Sequence, residues 1–394
     1  MTTVYNIDLG IKGSEFFNIK NKSLKLDSAE DVSDIIKDIK AVSTLKKVDL
    51  SGNTIGPKAL EAIVEALLSV SKSNLVELNL QDIFTARNKE EIQESFEKLI
   101  PLLPQFTNLL VLNLSDNAIG QEAIGPLCSI LAKLPALKHL ILTNNGLGPF
   151  SGAKLGKALF AQSKISTNGG LQTFWCGRNR LENGSIDYLS IGLRQHPELK
   201  EIRMYQNGIR PAGISKFIKQ CVSQLTNLQV LDLQDNTFTV VGATALAGTV
   251  DKLANLKELN LNDCFLDKRG GLTLVQALGG LKDSKLESLK LQFNELDEPV
   301  LELLSRTVPV LTDLKFLDLN GNIFFEDSEH IEKINDHFES KGFGELGELD
   351  ELEEPDSEEE EEDEDEDEAE DEEKEQDTDL DALEKDLTSA HIYS

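Results

Sequence analysis

Leu228-Gln-Val-Leu231-Asp-Leu233-Gln-Asp-Asn236-Thr-Phe238 decides the fold. Leucines recur at i, i+3 and i+5, and an asparagine follows at i+8. The Leu231-x-Leu233 alternation is that of a short strand with one face buried. Working outward, the same frame returns from Leu45 onward. Its asparagine slot falls at Asn53, Ile83, Asn117, Asn145, Asn179, Asn207, Asn236, Cys264, Asn294 and Asn322. A turn follows each slot, often with glycine, as in Asn117-Ala-Ile-Gly120. Helical spacing comes next, as at Ala59, Ile63, Ala66 and Leu67. This is a leucine-rich repeat with a strand and a full helix in every unit.

The frame dictates an α/β solenoid with a disordered acidic C-terminal tail. Strand leucines face inward, helices cover them, and the strands stack into one parallel sheet on the concave face of a horseshoe. The slot asparagine bonds backbone groups in the turn, where no ladder or helix can satisfy them. Cys264 can replace it as a weak donor and acceptor. Ile83 cannot, and Arg87 follows it in a loop, so that repeat has been remodelled. Slot intervals are 28–30 residues except for two of 34, which place extra residues after Ile83 and within Ala161–Gly170. Insertions of this kind map to one edge of a solenoid, often the binding edge.

Residues 1–44 read as a capping unit, with a degenerate strand at Ser23–Leu26 and a helix starting at Asp27. A charged helix over Glu326–Ser340 closes the other end. The expected domains are therefore a repeat domain over 1–344 and an acidic tail over 345–394. The tail holds 28 Asp/Glu against two Lys, so it carries −26 of the formal net charge of −31. Eleven successive acids over 358–368 cannot bury enough apolar surface to offset chain entropy. Leu380-x-x-Leu383-x-x-x-Leu387 allows no more than a short nascent helix.

The repeat body carries only −5 and shows no basic stripe with aromatics, so no nucleic-acid partner is expected. No apolar run approaches a membrane span, and Met1–Asp8 lacks the basic and apolar regions of a secretory leader. Cys128, Cys176, Cys221 and Cys264 are widely spaced, which fits reduced core thiols. Five histidines show no metal-ligand spacing, and no metal site is expected. Gly152-Ala-Lys-Leu-Gly156-Lys157 fails as a phosphate loop, with Ser151 and Ala158 at two required positions. The chain binds no nucleotide by itself on this reading.

What remains is surface. The x of each Leu-x-Leu faces the concave side: Asp49, Asn79, Asn113, Ile141, Trp175, Arg203, Asp232, Asn260, Lys290 and Asp318. That mixed polar row suits a protein partner, with Trp175 and Tyr205 as aromatic anchors. Arg87 suggests either an arginine inserted into a partner's active site or a surface arginine paired with Glu90 or Glu91.

Several intervening segments go beyond the generic repeat. Asp82-Ile-Phe-Thr-Ala-Arg87, Ser51-Gly-Asn-Thr-Ile-Gly56, Asn144-Asn-Gly-Leu-Gly-Pro149 and Cys176-Gly-Arg-Asn-Arg-Leu-Glu-Asn-Gly-Ser185 resemble the Ran GTPase-activating proteins of fungal type. So do Gln206-Asn-Gly-Ile-Arg-Pro211 and Leu231-Asp-Leu-Gln-Asp-Asn-Thr-Phe-Thr239. The resemblance covers about residues 20–345. One departure is Ala86, where the family commonly has glycine.

The resemblance implies a GTPase activator acting in trans on Ran-GTP, alone or with a Ran-binding protein, in support of nucleocytoplasmic transport. It implies no catalytic site and no cofactor of the chain's own, since GTP and Mg²⁺ travel with Ran. Asn144 would help hold Ran's catalytic glutamine, and Arg87 would be needed without acting as an inserted finger. Asp82, Thr85, Lys89, Trp175 and Arg178 are the expected Ran contacts. A monomer in the cytoplasm is expected, with the nucleus or nuclear envelope as further locations. Two rivals stand beside this reading: a non-catalytic scaffold similar to ribonuclease inhibitor, and an acidic histone chaperone whose tail attracts basic proteins.

Overall fold

The computed structural model describes residues 7–353 and 380–389. In chain order the first strands are β1 (Phe16–Asn18), β2 (Lys25–Leu26), β3 (Lys47–Asp49), β4 (Thr54–Ile55), β5 (Glu77–Asn79), β6 (Val111–Asn113) and β7 (His139–Ile141). The rest are β8 (Thr173–Trp175), β9 (Glu201–Arg203), β10 (Val230–Asp232), β11 (Glu258–Asn260), β12 (Ser288–Lys290), β13 (Phe316–Asp318) and β14 (Glu345–Leu346). Twelve of them form one sheet in sequence order, while β2 and β4 pair separately.

Every pairing in the large sheet is parallel, and parallel neighbours need a crossover. Helices supply it: α1 (Ser33–Ala41), α2 (Pro57–Ser71), α3 (Lys89–Leu99), α4 (Ile124–Leu131), α5 (Gly148–Ile165) and α6 (Ile186–Leu193). They continue as α7 (Pro211–Gln220), α8 (Thr239–Ala247), α9 (Asp267–Gly279), α10 (Glu298–Thr307) and α11 (Glu329–Lys341), with α12 (Leu380–Ser389) beyond the sheet. Pro57 and Pro211 open their helices, where a missing N–H removes no helical bond.

The register puts Leu78, Leu112, Leu140, Phe174 and Ile202 in line on successive strands, all fully buried. Slot asparagines knit the turns behind them. The Asn117 amide donates to the carbonyls of Leu80 and Leu114 at 2.7 and 2.9 Å, and its Oδ1 accepts the Ile83 N–H at 2.9 Å. Cys264 fills its slot as expected, with Sγ 3.5 Å from the carbonyls of Leu233 and Asn262. All four cysteines are buried, and burial pushes the Cys176 thiol up to about 12.

The ends of the solenoid depart from the sequence expectation. The first strand of the main sheet is β1, in Phe16-Phe17-Asn18, upstream of Ser23–Leu26. Residues 27–32 form a turn in which the Asp31 carboxylate accepts the N–H groups of Asp27 and Ser28, so α1 starts only at Ser33. The second long interval is mostly helix: α5 runs through Ile165, leaving only 166–170 as connection.

At the other end the fold extends past 344. β14 pairs with β13, Leu346, Leu349 and Leu352 pack on the core, and Glu353 N–H donates to the Asn322 carbonyl. The expected boundary at 344/345 therefore falls just before the last strand and leaves it outside the repeat domain it pairs with. The disorder expected of the acid run falls on 354–379, outside the described residues.

One buried histidine makes stability pH-dependent. His196 is fully buried, accepting the Leu171 N–H at Nδ1 and facing the Leu159 carbonyl through Nε2 at 3.2 Å. Burial pushes its pKa down from 6.5 to about 4. The unfolded chain therefore binds a proton between pH 6.5 and 4 that the folded chain refuses. Stability should fall as pH falls through that window, by at most about 1.4 kcal/mol per pH unit for this group. Urea titrations at pH 7 and 5 check this, and His196→Asn should weaken the dependence, while His139, which burial also pushes down to about 4, keeps its own share.

Candidate functional site

The turn leaving each strand has one recurring backbone feature. The residue just before every slot is left-handed: Gly52, Asp82, Asp116, Asn144, Arg178, Gln206, Asp235, Asp263, Phe293 and Gly321 all have φ between +50° and +67°. From Gly52 to Phe293 their N–H groups donate to the next turn, as Asp116 does to Thr143 and Asn144 to Gly177, both at 2.9 Å. This conformation turns the side chain off the sheet edge. Strands lie about 4.8 Å apart, so Asp82, Asp116, Asn144 and Arg178 on β5–β8 form one continuous row. Glycine, Asp and Asn tolerate such a φ best, while an arginine or phenylalanine there is strained.

Asn144 is exposed, and its amide donates to Asp116 Oδ1 at 2.7 Å. Asp116 is fixed in turn by Gln81, whose Nε2 donates to Oδ2 at 2.8 Å. The Asn144 carboxamide is thus held in place through its amide nitrogen. The neighbouring slot residue Asn145 is buried, and its side chain bonds backbone only. Asp116 was not among the residues expected from sequence, although its place in the same column as Asn144 is a signal readable from the repeat.

The remodelled loop lies beside this row. Ile83 is buried in the core and offers the turn only its backbone, accepting the Ile55 N–H at 2.8 Å. Thr85 donates to Asp82 Oδ1, so these two expected contact residues share one bond. Asn88 caps α3, accepting the Glu91 N–H while the Glu91 side chain accepts the Asn88 N–H. Lys89 is exposed and pairs with Glu122 at 2.9 Å, a hydrogen bond that holds the Glu122 carboxyl below its usual range.

Arg87 points inward. Nη1 reaches Asp27 at 2.5 Å and Glu91 at 3.2 Å, Nη2 the carbonyls of Leu26 and Thr54, and Nε the Thr54 hydroxyl at 3.0 Å. Every donor direction of the guanidinium is used, and the side chain is 7% exposed. The Glu91 pairing was among the sequence alternatives. The ties to Asp27, Leu26 and Thr54 were not.

Ala86 adopts φ +61°, where a Cβ is strained. Ala86→Gly should raise stability by about 0.5 kcal/mol, the relief being partly offset by glycine's greater unfolded freedom. A lower urea midpoint would contradict this.

Trp175 does not stand open. It is 7% exposed, clustered with Val111 and Ile141 beneath Leu9 of the N-terminal segment. The Arg203 guanidinium lies 5.4 Å from its ring and pairs with Glu201, Asp232 and Glu258. In this arrangement Trp175 is no partner anchor. Tyr205 is half-buried against Gly177, where an added Cβ would come within 2.6 Å of the ring. The structure therefore brings Asp82, Thr85, Lys89, Asn144 and Arg178 to one edge and turns Arg87 and Trp175 away from it. Among the described residues there is no cluster able to hold a metal ion, and no helix is long and apolar enough to cross a membrane.

A family model described as "Leucine Rich repeat" matches residues 43–64, 107–128 and 224–247. Ran GTPase-activating protein 1 of Saccharomyces cerevisiae is 40% identical over 335 residues, covering 82% of each chain. Ran GTPase-activating protein 2 of Caenorhabditis elegans is 40% identical over 49% of this chain and 20% of its own. Ran GTPase-activating protein 1 of Xenopus laevis is 36% identical over 50% of this chain and 35% of its own. Shared identity along four-fifths of both chains exceeds what leucines and slot asparagines supply: this chain belongs to the Ran GTPase-activating protein family.

Proposed function

We propose that this chain accelerates GTP hydrolysis on Ran-GTP by ordering Ran's own catalytic machinery along the edge from Asp82 to Arg178. The observation that carries the reading is the Asn144 amide, exposed and locked to Asp116. In the proposed complex its free carbonyl oxygen accepts a hydrogen bond from the side-chain amide of Ran's catalytic glutamine. That glutamine then holds the attacking water in line, and a reactant so fixed gains from pre-set orientation. Asp82, Thr85, Lys89 and Arg178 supply docking contacts around it.

GTP and Mg²⁺ belong to Ran, and the chain contributes no group to the transferring phosphoryl. Arg87 supports the loop from behind, because its donors are committed to five acceptors inside the chain. The chain acts as a monomer, alone or with a Ran-binding protein on the same GTPase. Its place of action is the cytoplasm, with the nucleus or nuclear envelope as further locations, where it supports nucleocytoplasmic transport.

The test is single-turnover hydrolysis of GTP bound to Ran, with the chain present in catalytic amounts. Acceleration by orders of magnitude is expected, and its absence would end this reading. Removing residues 354–394, which spares β14, should leave the acceleration within about twofold, since surface changes away from a site are near neutral.

A further inference from the structure

α12 lies against the convex face of the repeats. Leu387 is 7% exposed and packs with Phe160 of α5 and Ile191 of α6, with Leu383 and Tyr188 at the margin. This cluster is separate from the solenoid core, and Leu387 is the member that comes from outside the repeats. Leu383 and Leu387 share one helix face at i, i+4 spacing. On the same side Glu384 accepts from Arg194 Nη2 at 2.5 Å and from Gln195 Nε2 at 3.1 Å. Lys157 lies 4.0 Å from the Tyr188 ring and Lys164 4.3 Å from the Phe160 ring, so cations border the apolar patch.

The platform is close-packed. Gly156 and Gly192 let α5 and α6 meet backbone to backbone, for a Cβ on Gly192 would come within 2.3 Å of the Gly156 carbonyl oxygen. α12 has ten residues, and isolated helices under about 12–15 residues are marginal in water. Its helical form therefore depends on the platform it touches.

We propose that the α5–α6 face is a docking site for an acidic amphipathic helix, and that its resident occupant is this chain's own C-terminal segment. Phe160, Tyr188 and Ile191 take the two leucines, and Arg194 selects the glutamate between them. The acidic tail thus carries its own latch. Residues 354–379 join Glu353 to α12, so the docking is intramolecular and favoured by a high effective concentration. Phe160 is twelve residues along α5 from Gly148, about 18 Å by helical rise. The latch sits well away from the Asn144 edge and is independent of any role for that edge.

Hydrogen exchange of the 383–388 amides in the full chain tests the proposal. In the unsubstituted chain they should exchange at least about tenfold slower than in a free peptide of residues 376–394. Leu387→Asp should bring them to the peptide rate without touching the repeats. Arg194→Glu, at the cap that ends α6, should do the same, and adding Glu384→Arg should restore protection. Exchange at the peptide rate in the unsubstituted chain, or protection that survives both Leu387→Asp and Arg194→Glu, would overturn it.

Discussion

Asn144→Gly should lower single-turnover hydrolysis on Ran by about a hundredfold while leaving the fold intact, the size expected when a positioned polar group is lost from a reacting assembly. Glycine is the informative replacement because Asn144 sits at φ +57°. It keeps the backbone and removes only the carboxamide, so stability should change by less than about 1 kcal/mol. Asn144→Ala should lose as much activity but add left-handed strain of about 1–2 kcal/mol. Asn144→Asp separates positioning from shape, since it sets a second carboxylate against Asp116 in place of the 2.7 Å bond. Activity should fall with it too, and Asp116→Ala should fall part of the way. Asn144→Gly at full activity would show the amide to be a plain turn residue.

The second large effect is on Arg87. Arg87→Ala should lower both stability and activity, with an unfolding cost on the order of 2–4 kcal/mol. The lower part of that range is expected, since Asp27 is half exposed and solvent screens what the pair loses. What is lost is mainly the grip on backbone: the bonds to the carbonyls of Leu26 and Thr54, which tie the loop to the first repeats. Arg87→Lys should rescue little, because a point charge on a flexible stem cannot serve five acceptors at once. An inserted finger behaves differently, since its removal silences hydrolysis and leaves the urea midpoint unchanged. Paired urea and hydrolysis measurements on Arg87→Ala therefore separate a brace from a finger.

The repeat frame was legible because burial demands it: Leu231 and Leu233 face the core, and Asn236 must satisfy a turn. Phe16–Asn18 was not, since a first strand with one neighbour lacks the full leucine frame. Asp82 and Asn144 were found by resemblance, yet their column was readable in the recurrence of Gly, Asp and Asn before the slot. Arg87 was recognised as important, but its direction was hidden, because its partners Asp27 and Leu26 lie 60 and 61 residues away in sequence. Trp175 was misplaced for a similar reason: Leu9, which covers it, comes from the far end of the chain. Leu380–Leu387 gave a helix but no platform, as docking depends on Phe160 and Ile191. Long-range contacts, not local patterns, separate the two lists.

The central claim is that Asn144 works through the partner's glutamine. A double-substitution cycle measures it directly: single-turnover hydrolysis with Asn144 intact or changed to glycine, on Ran with its catalytic glutamine intact or replaced by leucine. The account predicts that Asn144→Gly costs about a hundredfold on intact Ran and nothing further once the glutamine is gone. Equal losses on both forms of Ran would contradict it.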